Sequence, residues 1–131
     1  MKPEELMIGD YIRNKHTKEI IWIFEIDGDR NVINNEPDGY CSEKNINIDD
    51  VEPIPITPEI LEKNGFLIYD DDIYLWENVI NIVRLYTDDN HTWFLYMCSD
   101  ICGHIDYLAI NSVHELQHAL RLCKIDKEIV L

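Results

Sequence analysis

A chain of 131 residues, 46% of them hydrophobic, is long enough for one domain with a sizeable core and too apolar for a disordered acidic tail. Its 26 acidic side chains outnumber 11 lysines and arginines, for a formal charge of −15. That balance argues against sequence-independent DNA or RNA binding, which needs a basic surface, and against docking on anionic lipid. Apolar runs such as 20–24 are strand length and far short of the roughly 20 residues that span a bilayer. Residues 1–5 lack an apolar signal core. The four cysteines are therefore expected as reduced thiols in a cytoplasmic protein.

Residues 1–56 read as a run of short strands. Gly9-Asp10 turns the chain into a first strand, and 14–18 is polar and turn-like. The stretch 19–26 is β-branched, aromatic and almost continuously apolar, which predicts one strand buried on both faces. Asp27-Gly28-Asp29 predicts a hairpin turn in which Gly28 supplies positive φ. Its likeness to the start of a calcium loop fails at Val32, where that loop needs glycine. Strands follow near 30–34, 40–44 and 45–51. Four or five such strands suggest a small, partly closed barrel.

The Pro53-Ile54-Pro55-Ile56 stretch is extended, because each proline disfavours helix at the residue before it. Thr57 then offers an N-cap, Pro58 suits the first helical position, and Gly65 predicts the C-terminal stop with Phe66 folding back. Residues 66–110 read as a second antiparallel meander, with strands at 66–69, 73–77, 79–86 and 91–98. Eight acidic residues and one basic residue, Arg84, fall in this region. A helix covers 113–123, and 125–131 ends as a short strand or tail.

Three segments together resemble a group of uncharacterised small proteins from phages, prophages and mobile elements of Bacteroidetes. They are Glu5-Leu6-Met7-Ile8-Gly9-Asp10-Tyr11-Ile12, the stretch from Val51 through Pro53-Ile54-Pro55-Ile56-Thr57 to Gly65-Phe66, and Val113-His114-Glu115-Leu116-Gln117-His118. The resemblance implies an intracellular bacterial setting and a dispensable accessory gene. It implies no activity.

His114-Glu115-Leu116-Gln117-His118 matches H-E-x-x-H, in which two histidines one helical turn apart bind zinc and the glutamate acts as general base. Ser112 as N-cap with Glu115 at the third helical position explains the glutamate without metal. At 100° per residue, Val113, Leu116, Ala119, Leu120 and Cys123 form the buried stripe, placing His114 and His118 on a solvated face with Arg121 between them. No third ligand follows at the usual spacing. Cys98, Cys102 and His104 could supply three zinc ligands, with Cys41 or Cys123 as a fourth, though plain thiols explain them as well.

The expected fold is α+β: an N-terminal small antiparallel β-barrel-like unit, a short helix, a second antiparallel β-meander and a C-terminal helix. Residues 1–131 are expected to form one compact domain, with subregions 1–56, 57–65 and 66–131. The expected function is protein–protein interaction without catalysis or cofactor, as an anti-defence protein or a nucleic-acid mimic. An unidentified basic host or element protein would meet Asp70, Asp71, Asp72, Asp88, Asp89, Trp76 and Trp93. The alternative is a zinc-dependent hydrolase using His114, Glu115 and His118.

Overall fold

The computed structural model describes residues 5–30, 32–34, 45–70, 73–78, 80–88, 91–99 and 103–131. The fold is α+β, with mostly antiparallel sheets and few helices. Contacts divide the chain into two compact units, Met1–Ile54 and Pro55–Leu131.

In the first unit, strands β1 (Tyr11–Asn14), β2 (Ile20–Trp22), β3 (Glu25–Asp27), β4 (Val32–Asn34), β5 (Asn45–Asn47) and β6 (Val51–Pro53) form two three-stranded sheets. Their orders are β2-β1-β6 and β3-β4-β5, and no closed barrel occurs among the described residues. Leu6, Ile12, Ile21, Ile23, Ile33, Ile48 and Val51 form the core. The single strand expected over 19–26 is instead two strands in different sheets. Ile21 and Ile23 are buried, while Ile20 and Trp22 are 50% and 41% exposed. The period of two survives even though residues 20–24 are all apolar, because only one face has a core to meet.

Side chains build the turns of this unit. Asp10, fully buried, accepts the Met7 amide at 2.7 Å, and Gly9 donates its own amide to the Ile23 carbonyl at 2.7 Å. Gly9 has φ +91°, a conformation other residues adopt only under strain. Asn14 accepts the amides of His16 and Thr17. Gly9, Gly65 and Gly103 are the positive-φ glycines among the described residues, so Gly28 does not play the role expected of it. The Asp27 carboxylate holds that turn instead, accepting from the Asp29 and Arg30 amides, as aspartate does in an Asx turn. The expected strand at 40–44 lies outside the described residues.

The second unit begins with helix α1 (Pro58–Lys63). The Thr57 hydroxyl accepts the Ile60 amide at 3.3 Å, and Pro58 occupies the first turn. The helix ends at Asn64. Gly65 follows at φ +83°, and the Phe66 and Gly65 amides donate back to the Leu61 and Glu62 carbonyls. This is the Schellman stop the glycine predicted. Strands β7 (Leu67–Asp70), β8 (Ile73–Glu77), β9 (Ile82–Thr87), β10 (Trp93–Ser99) and β11 (Gly103–Ile110) form one antiparallel sheet in chain order. The fifth strand, β11, has no counterpart in the expected set.

Burial alternates strictly along β10. Trp93, Leu95, Met97 and Ser99 are buried, while Phe94, Tyr96 and Cys98 are half-exposed. Register extends that pattern sideways. Tyr74, Leu85 and Leu95 align on the buried face, and Ile73, Tyr86 and Phe94 align on the other.

Helix α2 (Val113–Leu122) is capped by Ser112. The Ser112 hydroxyl accepts the Glu115 amide at 3.4 Å, the N-cap half of the expected capping box, and donates to Glu115 Oε1 at 2.8 Å, so the two side chains pair directly. Cys123, at the C-cap, is disulfide-bonded, against the expectation of reduced thiols; its partner lies outside the described residues. Beyond α2 the chain runs without regular structure, yet Ile125 and Ile129 are buried. Buried Asn64 pins this segment. Its amide donates to the Val130 carbonyl at 2.9 Å and its carbonyl accepts the Val130 amide at 2.8 Å. No helix among the described residues is long and apolar enough to cross a membrane.

Candidate functional site

The helix carrying H-E-x-x-H buries more of its circumference than the apolar stripe predicted. The expected residues Val113, Leu116, Ala119, Leu120 and Cys123 are buried, but so are His114 and Gln117. The solvated face assigned to His114 is therefore corrected; only His118, half-buried, approaches it. Burial is tolerable because the polar atoms of His114 are partnered: Nδ1 lies 3.1 Å from Ser112 Oγ. The two imidazoles meet edge to face with centroids 5.6 Å apart. Glu115 is exposed and held by Ser112. Among the described residues, no group of three or more His, Cys, Asp or Glu could hold a metal ion. The arrangement is a capped helix terminus with a histidine folded against its cap.

The second sequence candidate assembles in part. Cys98 and His104 are cross-strand partners of β10 and β11. Cys98 is a free thiol, with Sγ 3.9 Å from His104 Nε2. His104 Nδ1 lies 2.9 Å from the Tyr96 hydroxyl, and the Arg84 guanidinium sits 5.2 Å from the Tyr96 ring centre. Cys102 and Cys41 lie outside the described residues. Strand alternation links Tyr96 to Cys98, a link the sequence analysis did not draw.

The expected interaction residues divide. Asp71, Asp72 and Asp89 lie outside the described residues. Asp70 ends β7, and Asp88 is exposed, its carboxylate accepting the Thr92 amide at 2.9 Å. Trp93 belongs to the core. It is 7% exposed, donates its indole N–H to the Ile56 carbonyl at 3.1 Å, and packs against Tyr74 at 5.8 Å between ring centres. Its place on the buried face of β10 explains why it offers no surface. Trp76 is half-buried, with Lys127 Nζ 5.8 Å from its ring centre, a cation–π arrangement.

Exposed apolar surface gathers beside Trp76. Leu67, Ile68 and Tyr69 of β7 are 73%, 56% and 67% exposed. An open cavity of about 360 Å³ is lined by them with Gly65, Leu75, Trp76 and Glu77. Three consecutive apolar residues at the end of a sheet must turn at least one side chain away from a single core. Compared with protein-family models, curated proteins and solved structures, the chain gives no significant match.

Proposed function

We propose that this chain is a non-enzymatic, acidic interaction module that binds a basic protein in the cytoplasm. It would act as an accessory protein of a phage or mobile element, as its resemblance to that group implies. The observation that carries this reading is one of placement. In a chain of charge −15, three exposed apolar residues stand in a row on β7, which ends at Asp70 and is followed in sequence by Asp71 and Asp72. A contiguous apolar patch rimmed by charge is the usual mark of a protein-binding surface. Acidic rims steer a basic partner toward such a patch and reject acidic ones. A nucleic-acid mimic or anti-defence protein would work in this way, offering carboxylates to a groove built for phosphates.

The test is a capture from bacterial lysate across a salt series, with wild-type chain and with Asp70, Asp71 and Asp72 changed to lysine. A basic protein held by the wild type should be released as salt rises, because exposed charges are screened over roughly 8–10 Å. The lysine variant should lose it. Equal capture by both chains refutes the acidic surface.

A further inference from the structure

We propose that the edge of β7 binds an extended basic segment of a partner protein by strand addition, with an apolar side chain of that segment in the cavity beside Trp76. This rests on the interaction reading above and specifies its geometry.

Among the described residues, sheet order makes β7 the terminal strand, paired with β8 and no other strand. A terminal strand offers a row of backbone donors and acceptors to another chain, and proteins ordinarily blunt such edges with lysine, proline or a bulge. Among the described residues the blunting features here are a register shift between Ile68 and Asp70 and the charge of Asp70 itself. The strand itself is Leu67-Ile68-Tyr69-Asp70, without lysine or proline. The cavity at its side gives an incoming strand the second element of such recognition, a pocket for alternate side chains.

Charge selects the occupant. Eight acidic residues and one basic residue lie in 66–110, and Glu77 lines the cavity. Lys127 places one ammonium 5.8 Å from the Trp76 ring centre, a single positive charge against the acidic excess of this region. A second copy of this chain would instead bring a further charge of −15. The partner segment is therefore extended, with alternating lysine or arginine and apolar residues.

The experiment measures binding of a ten-residue peptide alternating lysine and isoleucine to the full chain. Saturable binding is expected, weakened at least tenfold by N-methylation of the six central residues, which removes the ladder donors. A glutamate–isoleucine peptide should not bind. Ile68→Lys should weaken binding at least fivefold, whereas Leu122→Lys, at an exposed apolar position on α2, should leave it unchanged. No saturable binding to 1 mM, indifference to N-methylation, or equal binding of the acidic peptide overturns the proposal. Concentration-dependent dimerisation abolished by Ile68→Lys would instead make a second copy the occupant. Capture of a basic lysate protein that survives Ile68→Lys would leave the interaction reading standing and remove strand addition from it.

Discussion

The two units solve the same problem, a one-sided core beneath antiparallel strands, with different means. In Met1–Ile54 the strands are three or four residues long, and aspartate and asparagine side chains tie the turns. In Pro55–Leu131 the strands reach eight residues, and two capped helices and a pinned tail complete the core. Strand length decides how much of each could be read beforehand. A seven-residue strand such as β10 displays its period several times over. A three-residue strand displays it barely once, and the apolar run 19–26 hid a break between two sheets.

The largest expected effect lies in the longer-stranded unit. Leu95 is fully buried at the centre of β10, so Leu95→Ala should cost about 2–5 kcal/mol in denaturant unfolding, as cavities in packed cores do. Trp22→Ala sharpens the contrast in the first unit. Trp22 is 41% exposed and touches Phe24 at 6.0 Å between ring centres. It should cost about 1 kcal/mol, whereas the both-face burial first expected would cost about 3–5 kcal/mol.

Asn64→Ala should cost about 2 kcal/mol. It removes the hydrogen bonds to Val130 together with the one to the Ile60 carbonyl. Increased protease cleavage after residue 123 should accompany it, because the tail loses its tether. Gly65→Ala should cost about 1 kcal/mol. Its added Cβ meets only Lys127 Nζ at 3.9 Å, so the cost is that of positive φ alone.

The smallest effect is electrostatic and lies in the first unit. Glu52 pairs with Arg13 across β1 and β6, at 2.7 Å, and with Lys18 at 2.6 Å. Hydrogen bonds from Lys18 and then Arg13 hold its carboxyl below the ordinary value of 4.5. A carboxyl lowered on folding stabilises the fold fully above that ordinary value, and the contribution fades as pH falls through the lowered one. Glu52→Gln should therefore destabilise the chain slightly at pH 7. The difference from wild type should shrink in unfolding curves taken at progressively lower pH below 4.5.

Helix boundaries were legible because their chemistry is local. Thr57-Pro58-Glu59, Gly65, and the Ser112–Glu115 pair each name a hydrogen bond within four residues. Burial of His114 and Trp93 was not legible, because it depends on elements distant in sequence that cover them. Trp93 needed the register that aligns its strand with Thr87 and Ile110. The missed strand β11 begins at Gly103, with φ +64°, in a stretch that the sequence analysis read only for its cysteines and histidine. Of the candidate surface, the acidic run and Trp76 were visible in composition and spacing. The exposed face of β7 required knowing that this strand ends the sheet.

Hydrogen exchange with and without the lysine–isoleucine peptide tests the central claim most directly. If the edge of β7 is where a basic chain docks, amides of Leu67, Ile68, Tyr69 and Asp70 should gain protection, while those of β1 and α2 stay unchanged. Protection that appears elsewhere, or none at β7 under saturating peptide, would contradict it.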